Sequence, residues 1–249
     1  MDELDRITYA PLHTLKRVAD EVWIVDGPTI PFGPPLLKLP FPTRMTVLRL
    51  QKARLFIHSP TPLAASLRAA IERLGTPHWL IGPSRLHYWW LPEWHAAYPQ
   101  AAVHLAPGIL KQSRGRIDFP FEALDRRDGY PWDDEIATLP VRGGYMTEVE
   151  FFHRASRTLI LTDLIENFEL AKLPSRRLRW LVRLAGAASP HGGMPIDMRL
   201  SFLRHRRELR SAIRMMIDWQ PERILLAHGK WLERDGTGEL RRAFRWVLD

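Results

Sequence analysis

Twice along the chain, short apolar, β-branched runs give way to stretches whose apolar residues recur every three or four positions, and this double cycle limits the possible folds more than any other feature. Residues 22–25, 44–50 and 55–58 read as strands separated by turn residues. Leu63, Leu67, Ala70, Ile71 and Leu74 then fall at helical spacing over 62–74, with Gly75 closing the helix. A strand at 78–81, a helix at 92–97 and a strand at 102–105 follow, and the polar connection over 112–134 reads as a surface excursion. The second cycle opens with a strand at 136–141 and a hairpin of 147–153 and 157–162 turning at Arg154, Ala155 and Ser156. It continues through two amphipathic basic helices joined by a Gly- and Pro-containing loop over 186–195, a buried strand at 222–227 and a closing helix at 239–248. The Pro-rich stretch over 28–42 can join strands but cannot itself be one. Two rounds of strands followed by helices predict an α/β fold in which two sheets pack face to face with helices outside. This is a four-layer αββα sandwich, taken as a single unit over residues 1–249.

The chain has no Cys, which excludes zinc ribbons, thiolate catalysis and iron–sulfur clusters and leaves His and carboxylates as the only metal ligands on offer. The amino terminus, Met1-Asp2-Glu3-Leu4-Asp5-Arg6, is acidic where a secretory signal would be basic. No apolar stretch reaches the ~20 residues of a spanning helix, so a cytoplasmic location is expected. Net charge is +8, and its placement is uneven. Arg176, Arg177, Arg179, Arg183, Arg199, Arg204, Arg206, Arg207, Arg210 and Arg214 face only Asp197 and Glu208 over 174–214, so the whole excess sits in the basic helices. Such helices suit an anionic partner, a membrane or nucleic acid, and equally suit a pair of covering helices with Arg-rich solvent faces. No recognition motif of the nucleic-acid-binding families is present.

Three polar residues stand at or just beyond the carboxyl ends of apolar runs: His87, Asp163 and His228. Ligands collect at that edge of a sheet, and two imidazoles with a carboxylate can form a facial metal triad. Each also has a structural reading. His87, in Leu86-His87-Tyr88-Trp89-Trp90, fits an aromatic core; Asp163 with Glu166 three residues on fits a helix capping box; His228 precedes Gly229 at a strand end, where a purely structural His is uncommon. Gly82-Pro83-Ser84 lacks the later small residue of a nucleophile elbow. Gly236-Thr237-Gly238 lacks a third Gly, and no Walker lysine loop or His-Glu-x-x-His occurs. Serine hydrolases and dinucleotide enzymes are therefore unsupported.

These residues and their strands resemble the metallo-β-lactamase-like superfamily, and within it a bacterial branch known as a domain of unknown function. The resemblance is carried by Arg44-Met45-Thr46-Val47-Leu48-Arg49-Leu50 with Leu55-Phe56-Ile57-His58-Ser59-Pro60, by Trp94 with Tyr98-Pro99, by Glu148-Val149-Glu150-Phe151-Phe152-His153-Arg154, by Ser156 to Asp163, and by Ala227-His228-Gly229. The superfamily's Thr-His-x-His-x-Asp-His falls on Ser84 to Trp90, where His87 matches the second His but Arg85, Trp89 and Trp90 replace the other three ligands. Its Gly-His falls near Gly144-Tyr145, with Glu148 a nearby substitute carboxylate, while its bridging Asp and final His are matched by Asp163 and His228.

The resemblance implies a degenerate, at most mononuclear site. One reading is a metal-dependent hydrolase in which His87, Asp163 and His228, helped by Glu148, hold one zinc, iron or manganese ion, with Asp163 as the catalytic carboxylate. The other is a non-catalytic protein holding no metal, whose cavity binds a small organic anion near Arg85, Trp89 and Trp90. Docking to an anionic membrane or nucleic acid through the arginines of 176–214 is compatible with either.

Overall fold

The computed structural model describes residues 7–32 and 39–249; the acidic residues 1–6 and the centre of the Pro-rich stretch, 33–38, lie outside them. A seven-stranded sheet is built from β1 (Lys16–Ala19), β2 (Val22–Phe32), β3 (Leu39–Leu50), β4 (Arg54–His58), β5 (Thr76–Gly82), β6 (Ala102–Leu105) and β7 (Glu122–Ala123), in chain order. Its first half is an antiparallel meander, and from β4 onward the strands are parallel. Parallel neighbours need crossovers, and α1 (Ala65–Leu74), α2 (Leu91–Ala97) and the short α3 (Ile109–Ser113) lie in them. The second sheet has four strands, β8 (Ile136–Arg142), β9 (Thr147–His153), β10 (Thr158–Leu161) and β11 (Arg223–Leu226), ordered β11-β10-β9-β8. The β9–β10 hairpin is the expected one, and Arg157 takes the left-handed conformation at φ 49 to complete its turn.

Alternation along the strands of the second sheet assigns its two faces. Ile136, Val149, Phe151, Ile160 and Leu225 point inward and join Val47, Phe56, Ile57 and Leu80 of the large sheet in one core. Leu139, Val141, Phe152, Leu161 and Leu226 point outward and are covered by Leu209, Ile213 and Met216 of α6 (Arg206–Asp218), together with Leu240 of α7 (Gly236–Ala243) and Val247 of α8 (Arg245–Leu248). Leu67 and Ile71 of α1 and Leu91 and Trp94 of α2 pack on the large sheet. The result is the αββα sandwich. A third, smaller cluster gathers Ile7, Phe168 and Leu173 with Leu178 and Val182 of α4 (Arg176–Leu184).

Several local expectations are corrected. The Pro-rich stretch does carry strand: β2 and β3 continue as a two-stranded arm in which Thr29 pairs with Pro42 and Pro31 with Pro40. This arm extends past β1, whose pairing with β2 stops at Ile24, and past β4, whose pairing with β3 stops at Thr46. A proline nitrogen turned outward there has no ladder partner to lose. The connection over 112–134 is only partly a surface excursion, since Ile117, Leu124, Tyr130 and Trp132 return to the core. Between the basic helices lies a further short helix, α5 (Ile196–Ser201), and the closing helix breaks at Phe244 (φ −109, ψ 14) into α7 and α8. Gly75 leaves α1 in an extended rather than a left-handed conformation. A Cβ there would lie 2.1 Å from the Ala53 carbonyl oxygen, so the glycine is required by close backbone approach. Among the described residues no helix is long and apolar enough to cross a membrane.

Candidate metal centre

Parallel pairing of β10 with β11 makes Leu161 and Leu226 register partners, so Asp163 and His228, each two residues farther on, leave the second sheet side by side. His87 arrives from the other sheet, in a turn after β5 closed by its backbone N–H to the Ser84 carbonyl (3.0 Å). The three side chains are buried, and each offers one donor atom with all three atoms within 4.8 Å of one another. His228 Nε2 lies 3.3 Å from Asp163 Oδ1, and His87 Nε2 lies 3.4 Å from the same carboxylate.

Both imidazoles are held from behind. His228 Nδ1 donates to the Pro42 carbonyl at 2.7 Å, which fixes the ring with its Nε2 facing Asp163. His87 Nδ1 pairs with Ser59 Oγ at 2.8 Å, and Ser59 follows β4 in the left-handed conformation (φ 52), a strained position that aims its hydroxyl at the ring. The turn carrying His228 is fastened to the first sheet by Arg44, whose buried guanidinium donates to the carbonyls of Leu226 (2.7 Å) and Gly229 (2.8 Å) and ion-pairs with Asp26 at 2.7 Å. Gly229 itself sits at φ 84 with its Cα against the Asn167 carbonyl: a Cβ would lie 2.3 Å from that oxygen.

No helix follows Asp163, so the capping-box reading is replaced by the contacts above. Glu148 does not join the three. Its Oε1 accepts the backbone N–H groups of Thr162 (2.6 Å) and Asp163 (2.9 Å), because β9 presents it beside the end of β10 and on the helix-facing side of the sheet, opposite Val141. It positions the backbone beneath Asp163 in place of ligating. Burial, and then the nearby Asp163 charge, push the Glu148 carboxyl above the usual range, and Glu150 on the same face is pushed well above it by burial and by Glu148. Asp163 goes the other way. Burial opposes its ionisation, but the imidazoles of His87 and His228 overcome that and hold it below the ordinary carboxylate range. His58, one residue before Ser59, is held down to about 3 by burial and then by His87, so it stays neutral.

His87, Asp163 and His228 form part of the wall of a cavity of about 940 Å³ whose remaining lining is mainly apolar, from Ile30 and Phe41 on the arm to Leu178 and Val182 on α4. Arg85 lines it, donating to Gln112 Oε1 (2.8 Å) and the Tyr145 carbonyl (3.2 Å), with its Nε buried and unpaired. Trp89 is on the rim, stacked on Tyr88 at 5.7 Å. Trp90 is not in the cavity: it precedes α2 and packs against the first core. The arrangement includes groups that the sequence reading passed over, namely Ser59, Asp26, Arg44 and, on the cavity wall, Glu166. Ser59 and Glu166 stand just after β4 and β10, so the strand-end rule that picked out Asp163 extends to both. A buried Arg44 at the head of an apolar run offers only the weaker signal of a charge where an apolar residue would serve.

A family model described as a domain of unknown function, DUF4336, matches residues 19–175. The chain belongs to the DUF4336 family. The matched span holds His87 and Asp163, and His228 lies beyond it. Comparison with curated proteins gives no match. Among solved structures, the metallo-β-lactamase from Hirschia baltica is 12% identical with a TM-score of 0.60, over 94% of this chain and 97% of its own. The metallo-β-lactamase FIM-1 from Pseudomonas aeruginosa in its mono-zinc form is 10% identical with a TM-score of 0.60, over 95% and 96%. The metal-soaked Flv1 flavodiiron core from Synechocystis sp. PCC6803 is 10% identical with a TM-score of 0.62, over 94% of this chain but 60% of its own. At these identities the likeness establishes the metallo-β-lactamase fold for this DUF4336 chain.

Proposed function

We propose that this DUF4336 chain is a hydrolase that holds one divalent ion on His87, Asp163 and His228 and acts on a largely apolar small molecule. The observation that carries the reading is the spacing of the donors. An ion with ligand bonds of ~2.1 Å in tetrahedral array has donor atoms about 3.4 Å apart, and the carboxylate lies 3.3 and 3.4 Å from the two Nε2 atoms. Those separations are long for hydrogen bonds to a carboxylate and right for ligands around a common centre. The Pro42 carbonyl and Ser59 hydroxyl behind the rings supply the outer support such ligands need. With Arg85, Trp89 and Trp90 at the positions of the superfamily's other ligands in this loop, one ion is the capacity of the site.

When bound, a divalent ion supplies Lewis acidity and brings a coordinated water's pKa to about 7. The chain's own residues do the rest. The apolar cavity wall excludes bulk water and takes the acyl or aromatic part of the substrate. Arg85 lies where an anionic group of the substrate would sit. Glu166 lines the same cavity, and burial followed by the charges of Asp163 and Asp197 keeps its carboxyl protonated well above the usual range. It holds a proton for the leaving group as water adds across the scissile acyl bond.

The test is turnover of nitrophenyl esters and thioesters of graded chain length by protein loaded with zinc, iron or manganese. The reading expects metal-dependent hydrolysis abolished by Asp163→Asn. Absence of turnover with all three metals, in protein that binds them, would refute it. A second reading, a non-catalytic protein binding an organic anion, is favoured by the cationic Arg85 in the otherwise mainly apolar cavity lining. It expects saturable binding of fatty or aryl carboxylates that is weakened by Arg85→Gln and indifferent to chelator.

A further inference from the structure

We infer that the face formed by α4, α5 and the turn after α5 docks on anionic lipid bilayers, with the cavity mouth opening into the bilayer interface. The inference goes beyond the hydrolase reading and does not depend on a bound ion; it rests on what this surface exposes. On α4, Leu178 and Val182 face the third core, and the opposite side carries Trp180 (62% exposed) and Leu184 (57%) among Arg176, Arg177 and Arg183. On α5, Met198 is buried while Ile196 (57%) and Leu200 (62%) share one exposed side, and Leu203 (60%) with Arg204 continues the surface. Exposure of more than half of so many large apolar groups on two adjacent short helices is unfavourable in water unless a partner covers them.

Arg176, Arg177, Arg183 and Arg204 are exposed, and none of the four has a side-chain hydrogen bond, ion pair or ring contact among the described residues. The basic helices elsewhere use their guanidiniums differently: Arg199 bonds the Met194 carbonyl, Arg206 that of Trp246 and Arg210 that of Val247. Arg207 and Arg214 of α6 are exposed without a side-chain partner among the described residues as well, and what sets Arg176, Arg177, Arg183 and Arg204 apart is that they lie among the exposed apolar residues. Unpaired guanidiniums interleaved with Leu, Ile and Trp match a surface with phosphate groups outside and hydrocarbon beneath. A nucleic acid would satisfy the charges and leave the leucines and isoleucine in water, which decides between the two anionic partners.

The apolar patch also continues into the cavity. Leu181, Leu184, Ile196, Tyr145 and Trp89 are both cavity lining and among the large apolar side chains most exposed to solvent. An amphipathic molecule leaving a bilayer under this face would pass along an unbroken apolar path toward His87, Asp163 and His228. This implies lipid-derived ligands with one polar end.

Vesicle co-sedimentation tests the inference, using the full chain with phosphatidylglycerol-containing vesicles and with neutral phosphatidylcholine vesicles at low and raised salt. Binding to the anionic vesicles should exceed that to neutral ones by at least about tenfold and weaken with salt. Each arginine near an anionic surface contributes roughly fivefold, so Arg177→Gln, Arg183→Gln and Arg204→Gln together should weaken binding about 100-fold. Trp180→Gln with Leu200→Gln, neither of which lines the cavity, should weaken it about tenfold while the melting temperature holds, since both side chains are solvent-exposed. No binding to anionic vesicles, equal binding to neutral ones, or anionic binding untouched by the Trp180/Leu200 pair would each overturn the inference. So would tighter binding to duplex or single-stranded DNA than to the vesicles at the same salt.

Discussion

Replacing Asp26 by Ala should be among the most damaging single changes to this fold. Asp26 on β2 is the register partner of Arg44 on β3, and its carboxylate takes the buried Arg44 guanidinium at 2.7 Å and Lys16 Nζ at 2.8 Å. Arg44 and Asp26 side chains are only 3% and 4% exposed, so without Asp26 the guanidinium is a buried charge left with the Leu226 and Gly229 carbonyls and the Tyr9 ring but no counter-ion. Removing one member of such a pair costs about 3–5 kcal/mol. For a chain of 249 residues this corresponds to a fall in melting temperature of about 6–20 °C, at 2–4 °C per kcal/mol. Urea unfolding gives the free energy and a thermal melt gives the shift. The double variant Asp26→Leu, Arg44→Met should be less destabilised than the two single changes combined, because it removes the unpaired charge as well. It should still lose metal affinity by about 10–100-fold, since the Leu226 and Gly229 carbonyls that Arg44 holds flank His228. A loss below about 1 kcal/mol for Asp26→Ala, or strictly additive effects in the double variant, would refute the view that this ion pair fastens the His228 turn.

Two further outcomes follow from the same geometry. Glu150 is buried in the helix-facing core with its carboxyl raised well above the usual range by burial and by Glu148. A group raised in this way contributes stability present below its unfolded pKa and lost as pH rises toward its folded one. Glu150→Gln should therefore gain stability over the parent protein as pH rises from 5 to 8, by at most about 1.4 kcal/mol per pH unit, whereas a pH-independent difference in urea midpoints would contradict the assignment. Gly229→Ala places a methyl 2.3 Å from the Asn167 carbonyl oxygen at φ 84 and should cost about 2–5 kcal/mol in urea unfolding; a loss under 1 kcal/mol would mean that the turn is looser than described.

What was legible in the sequence was what period and turn chemistry encode locally. The runs that became β6 and β9 are read to the residue, and the helical spacing of Leu67 and Ile71 marks the buried face of α1. The recurrence of strands and helices implies two sheets, and their packing brings together His87, Asp163 and His228, which are far apart along the chain. Failures occur where tertiary context overrides local rules. Pro28 and Pro31 argue against strand, yet the arm tolerates them because it runs past its neighbours. Asp163 and Glu166 have capping-box spacing, but the imidazoles compete for Asp163 and no helix forms. Glu148 has a ligand's chemistry and a neighbour's position, and strand alternation turns it toward the helix-facing side, where its carboxylate takes backbone N–H groups. Trp90 adjoins Trp89, but the start of α2 carries it into the first core. Arg44 and Asp26 form a pair that only the β2–β3 register reveals.

Elemental analysis of the protein purified without added metal bears most directly on the claim that His87, Asp163 and His228 act as one ligand set. About one zinc, iron or manganese per chain is expected, lost in His228→Ala and with a lower melting temperature on chelation. A metal-free protein that takes up no ion on reconstitution and melts identically with and without chelator would contradict it.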